Sequence, residues 1–155
     1  YLLNHFLESF RGTLFRQTMF AEFEDMAHRK GAAGESLTAQ NLCQMYRQLN
    51  VDYFGPEMNV DSQIDYEWER IPHFYTPFYV YQYATGFSAA VAISSRIMKG
   101  EEGALEGYKK FLSGGCSMTP IELLRLCGVD MSTTRPVDEA LSFFGELLDE
   151  FEGQR

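Results

Sequence analysis

Between Arg70 and Gly86 the chain reads Arg-Ile-Pro-His-Phe-Tyr-Thr-Pro-Phe-Tyr-Val-Tyr-Gln-Tyr-Ala-Thr-Gly. One histidine, His73, stands beside Tyr75, Tyr79, Tyr81 and Tyr83. Neutral phenol and imidazole groups donate hydrogen bonds well to an oxygen that gains negative charge during a reaction. Grouped just ahead of a helix, they could form one wall of a transition-state binding site. The same residues also suit an aromatic loop packed on a core.

Other routes to chemistry are thin. The chain holds no H-E-x-x-H, no G-x-S-x-G and no phosphate-binding glycine loop. His5 and Glu8 share a helix face, but two side chains alone rarely hold zinc. His28 sits near a helix C-terminus, where the dipole favours a cation, and needs no other role. Asp61 and Asp65 read as a solvated acidic face rather than a cation site. Cys43, Cys116 and Cys127 form no C-x-x-C, so neither a zinc knuckle nor a disulfide framework is signalled. Reduced and mostly buried thiols are expected.

The totals bound the class. At 155 residues and 45% hydrophobic, the chain has one domain's worth of sequence and enough apolar side chains for a core. Thirteen Phe and nine Tyr favour large packed contacts. A net charge of −9 argues against nucleic acid, whose phosphates need a basic face, and suits anionic membranes poorly. No apolar run approaches the roughly 18 residues of a membrane span, and no secretion signal is visible. A cytoplasmic protein is the expectation. The chain starts with Tyr1 inside a helical pattern, which suggests a piece of something longer.

The elements that must carry the aromatic segment read as helices throughout. Leu3, Leu7, Phe10 and Leu14 form one stripe, and Phe15, Met19, Phe23 and Met26 a second, predicting a helix over 1–29 with apolar residues on several faces. Arg11 and Arg16 fall inside this zone and, if buried, each requires a partner. Gly12 in mid-helix suggests a close backbone approach. Ser36 or Thr38 caps a helix over 38–53 that ends at Gly55-Pro56. Residues 56–69 read as an acidic loop with one helical turn. A long helix is predicted from Pro77 to Lys99, its middle rich in small residues. Short helices over 104–113 and from Pro120 to Gly128 follow, the latter capped by Thr119 with Glu122 in its first turn. A final amphipathic helix covers 136–152. No window alternates convincingly with period 2. The fold class is all-α, with six helices.

Longer motifs add to this reading. Tyr1-Leu-Leu-Asn-His-Phe-Leu-Glu-Ser-Phe-Arg-Gly-Thr-Leu-Phe-Arg-Gln-Thr-Met-Phe-Ala-Glu-Phe-Glu24, the run Arg70–Ala90, Gly103-Ala-Leu-Glu-Gly-Tyr-Lys-Lys-Phe-Leu-Ser-Gly-Gly115, Cys127-Gly-Val-Asp-Met131 and Pro136-Val-Asp-Glu-Ala140 span the chain. Together they closely resemble the oligoendopeptidase F branch of the thimet oligopeptidase family of zinc peptidases. The resemblance implies that residues 1–155 are the C-terminal segment of the catalytic domain of a zincin-like helical oligopeptidase. It implies an upstream H-E-x-x-H helix and a further glutamate holding the zinc, so no metal ligand falls in this chain and none is expected to bind in it alone. The zinc would polarise the scissile carbonyl and activate water, with the upstream glutamate as base. Oligopeptides are the implied substrates, and the upstream part of the same polypeptide the implied partner.

In the resemblance, His73 matches the family histidine, and Tyr75 and Tyr79 match the spaced tyrosines, with Tyr79 expected one turn into the helix. These three are the catalytic candidates: Tyr79 or Tyr75 as donor to the developing oxyanion, and His73 either donating there or fixing the peptide backbone. Gln82 and Tyr83 join them as substrate-binding candidates. Other branches carry a tyrosine where this chain has Gln82, which leaves the third hydroxyl open between neighbours. The segment alone is expected to be inactive, and its uncovered apolar faces could drive self-association. The rival reading is a stand-alone helical interaction module whose aromatics form a docking groove without catalysis.

Overall fold

The computed structural model describes residues 1–153. Among them are seven α-helices and no strand. They are α1 (Leu2–Ser9), α2 (Arg16–Ala32), α3 (Ala39–Phe54), α4 (Tyr81–Met98), α5 (Ala104–Gly114), α6 (Pro120–Leu126) and α7 (Arg135–Gly153). A π-helical stretch, Phe10–Phe15, joins α1 to α2, and two 3-10 stretches, Ser62–Arg70 and Pro72–Tyr75, precede α4. The chain divides into two compact units. The central unit is Phe15–Ala84; the terminal unit is Tyr1–Leu14 with the chain from Thr85 onward.

In the central unit, α2 and α3 meet through Met19, Phe20 and Phe23 on one side and Met45, Tyr46 and Leu49 on the other, with Ile71 and Val80 completing the core. The Phe23 and Tyr46 rings meet edge to face at 5.2 Å. Thr38 caps α3, its hydroxyl accepting from the Asn41 N–H at 3.2 Å. The segment over 56–69, expected as a loop with one helical turn, carries a longer helical piece, the nine-residue 3-10 stretch Ser62–Arg70, started by Asp61, whose carboxylate accepts from the Gln63 N–H. Asp65 pairs with Arg47 at 2.9 Å. Both aspartates are thus occupied in holding backbone and cation.

Glu67 ties these pieces together. Only 8% exposed, it accepts from the Tyr46 hydroxyl at 2.7 Å and from Arg16 at 2.5 Å, and it pairs with Arg70. Arg16 also lies 4.7 Å over the Phe20 ring. The partner demanded for Arg16 by the sequence therefore exists. Arg11 differs: it is exposed and pairs with Glu8 one turn back at 2.6 Å.

In the terminal unit, α1 packs on α7. Phe10 is fully buried, its ring 4.8 Å from Phe87 and 5.2 Å from Phe144. A second core joins Ala89, Ala92 and Ile93 of α4 to Cys127 and Val129. Helices α5 and α6 approach at Gly107, where any side chain would run into the Leu126 carbonyl. The close approach expected at Gly12 is absent; a side chain there would meet nothing within 4 Å, and Gly12 lies in the π stretch instead. That stretch splits the single first helix of the sequence reading, raising six helices to seven. Thr119 and Glu122 form the reciprocal capping box at the start of α6. Of the cysteines only Cys127 is buried; Cys43 is half-buried and Cys116 exposed, which corrects the expectation of mostly buried thiols.

Candidate active site

The Arg70–Ala84 segment is built by alternating anchors and free faces. Pro72 starts a 3-10 turn closed by the Thr76 N–H donating to the His73 carbonyl at 2.9 Å. Phe74 points inward, its ring 5.6 Å from Phe20 and 5.4 Å from Phe23. Val80 is fully buried. With Phe74 and Val80 fixed in the core, His73 and Tyr79 remain at the surface, and Tyr83 joins them from the first turn of α4.

The three rings form a closed cluster. His73 and Tyr79 stack nearly parallel, 5.4 Å apart with 3° between planes. Tyr83 sits edge-on to both, 5.8 Å from His73 and 5.6 Å from Tyr79. Its hydroxyl donates to the Tyr79 oxygen at 3.2 Å. This bond holds the Tyr83 phenol above its ordinary pKa, helped by partial desolvation, so its proton stays in place. A phenol that accepts such a bond is polarised toward donating its own proton. Tyr79 is 37% exposed, so part of its side chain is open to solvent. Chemically the cluster can stack an organic group and donate to an oxygen beside it.

Ahead of α4 the backbone takes an uncommon path. Phe78 has φ +57°, a left-handed conformation that costs a bulky residue about 1–3 kcal/mol. Its N–H donates to the Glu24 carboxylate at 2.6 Å. Glu24, on α2, is only 5% exposed. The His28 ring lies 4.6 Å from the Phe78 ring, with Nε2 4.0 Å from the same carboxylate oxygen. The helix predicted from Pro77 therefore starts at Tyr81, and Tyr79 precedes it rather than standing one turn in.

The structure thus brings His73, Tyr79 and Tyr83 together. It leaves Tyr75 apart, 83% exposed on the 3-10 turn, and Gln82 exposed in the first turn of α4. Glu24 was missed by sequence reasoning. A signal existed: Phe20, Phe23, Glu24 and Ala27 share one helical face, and a carboxylate on that apolar stripe needs a partner.

Similarity to known proteins follows the whole segment. The chain is 53% identical over 152 residues to oligopeptidase PepF of Bacillus subtilis, covering 98% of this chain and 23% of that protein. It is 45% identical over 151 residues to the plasmid oligoendopeptidase F of Lactococcus lactis subsp. cremoris, covering 97% and 25%. The profile of peptidase family M3 matches residues 1–143. This chain belongs to peptidase family M3. A crystal structure of oligoendopeptidase-F from Enterococcus faecium superposes with a TM-score of 0.96 at 46% identity, over 99% of this chain and 29% of that one. The all-α fold is that of this M3 relative. The chain spans about a quarter of the length of the curated relatives it matches.

For an M3 member the group to test against these residues is zinc. Among the described residues no three His, Cys, Asp or Glu side chains gather in a metal-holding arrangement. His5 is exposed, and Glu8 is engaged by Arg11. The described residues do not fit a zinc site. No described helix is long and apolar enough to cross a membrane.

Proposed function

We propose that this chain is the C-terminal, substrate-facing segment of the catalytic domain of a zinc-dependent metalloendopeptidase that hydrolyses short peptides, with its zinc ligands in the upstream part of the polypeptide. In this reading Tyr79 donates to the carbonyl oxygen as it gains charge. Tyr83, by donating to Tyr79, polarises that phenol and keeps it oriented. His73 stacks on Tyr79 and presents its ring nitrogens to the peptide backbone. Tyr75 and Gln82, both exposed, serve as further peptide contacts. The observation that carries the reading is the partly exposed Tyr79 held by two ring partners in a chain of family M3.

Loss of one donor to a developing oxyanion costs about a hundredfold or more in kcat, roughly 3 kcal/mol. Tyr79→Phe in the full-length enzyme should show that loss on a quenched fluorescent peptide, with KM little changed. Wild-type turnover in this variant would remove Tyr79 from the mechanism. The segment by itself should cleave nothing, since the proposed reading places the metal and base elsewhere.

A further inference from the structure

We propose that Glu24 is a positioning residue for Tyr79: its buried carboxylate clamps the Phe78 backbone in the left-handed conformation that sets the direction of the Tyr79 phenol. The inference rests on the reading of Tyr79 given above. Glu24 is a carboxylate on an otherwise apolar helix face. Position 24 shares a helical face with Phe20, Phe23 and Ala27, where a leucine or methionine would serve the core better. Glu24 is nevertheless buried, and its carboxylate accepts from the Phe78 N–H at 2.6 Å and lies, more distantly, 4.0 Å from His28 Nε2.

What the carboxylate holds is strained. Phe78 is the one described residue other than glycine with positive φ. Left alone, a phenylalanine relaxes to negative φ, which would rotate the peptide leading into Tyr79. A hydrogen bond to an ionised acceptor is shorter and stronger than a neutral one, and so suits a backbone that resists its conformation. The His28 ring against Phe78 closes the clamp from the side-chain end. The clamp joins residues 54 apart in sequence, tying the aromatic segment directly to α2. Tyr79 is the next residue after Phe78, so the direction of that peptide bears directly on its near-parallel stack on His73.

The test uses the full-length enzyme and four substitutions. Glu24→Ala should lower kcat about 30-fold while KM moves less than about threefold, because orientation rather than binding is lost. Glu24→Gln keeps an acceptor oxygen and should recover most of that loss. Asparagine tolerates the left-handed region, so in a Phe78→Asn background Glu24→Ala should cost less than about threefold. Amide exchange gives a readout independent of turnover: the Phe78 N–H should lose protection in Glu24→Ala, and partly in Glu24→Gln, while Tyr83 on α4 keeps its own. If Glu24→Ala does not fold, the Glu24→Gln exchange comparison decides. Equal losses from Glu24→Ala in both backgrounds, or Phe78 exchange unchanged in either Glu24 variant, overturns the clamp. Tyr79→Phe is run alongside. A slow Tyr79→Phe with a fast Glu24→Ala rejects the clamp alone, whereas a fast Tyr79→Phe rejects the active-site reading beneath it.

Discussion

The two units of this chain solve the same packing problem with different chemistry. The central unit places carboxylates inside: Glu67 gathers a phenol and two guanidinium groups, and Glu24 holds a backbone N–H. The terminal unit keeps its acids outside and closes its interior with rings and small residues. Phe10 fills one centre, and Ala89, Ala92 and Cys127 line the other. Gly107 lets a helix touch the Leu126 carbonyl. A small-residue contact fixes distance but can aim nothing. A buried carboxylate fixes direction, since its oxygens demand donors at set positions. The unit that carries the aromatic cluster is the one built with directional bonds.

The sharpest way to break this comparison is Glu67→Ala. It strands the Arg16 guanidinium, which is largely buried, and leaves the Tyr46 hydroxyl without an acceptor inside the core. Removing one partner of a buried charge cluster costs about 3–5 kcal/mol. Urea unfolding followed by amide exchange along α3 should record it. A cost below about 1 kcal/mol would mean that the cluster is replaceable, and that the apolar core alone carries the central unit.

Acid provides the next test, with less expected loss because charges are neutralised rather than deleted. Burial pushes the Glu67 carboxyl up, but the hydrogen bonds from Tyr46 and Arg16 and the charges of Arg16 and Arg70 outweigh it and hold it below its ordinary value. A carboxylate lowered by folding stabilises above its unfolded pKa, near about 4.3 for Glu, and loses that contribution as pH falls further. In the terminal unit Asp130 is pushed down to about 2 by the Ser132 hydroxyl, Arg125 and the Ser132 N–H, but it lies at the surface. Exchange protection in α3 should therefore begin to fall below about pH 4.3, with little dependence on salt. Around Asp130 it should persist to lower pH and weaken in 1 M salt, because an exposed ion pair is screened. The reverse order, or equal salt dependence, would erase the distinction between the units.

What could be read from the sequence divides along the same line. Local signals were legible. Thr38, the Thr119-Pro120-Glu122 box and the stripes of α3 and α7 fixed those helices within a residue or two, since each feature involves neighbours three or four apart. The aromatic segment was legible as chemistry, and His73, Tyr79 and Tyr83 do meet. Which tyrosines would meet was not, because that depends on a left-handed residue at Phe78. Pro77 reads as the first turn of a helix, and nothing nearby says that Glu24, 54 residues earlier, takes the Phe78 N–H instead. Tyr75 looked equivalent to Tyr79 in spacing, yet it stands outside the turn that turns Tyr79 back onto His73. The π stretch was hidden for a related reason: apolar residues on every face give no phase by which to notice an inserted residue.

The smallest expected effect sharpens the comparison from the terminal side. At the start of α6 the Thr119 hydroxyl accepts from the Glu122 N–H, and the Glu122 carboxylate accepts from the Thr119 N–H at 2.9 Å. All of these groups are exposed. Thr119→Ala frees one backbone donor to water, so it should cost about 1 kcal/mol and no more. The loss should stay local, as faster exchange of the first amides of α6, because the core residues Leu123 and Cys127 keep their apolar contacts. Measured beside Glu67→Ala, a loss of similar size would show that polar contacts carry the terminal unit too. A loss near the expected value assigns its stability to the ring and small-residue packing, with its surface hydrogen bonds setting only where each helix begins.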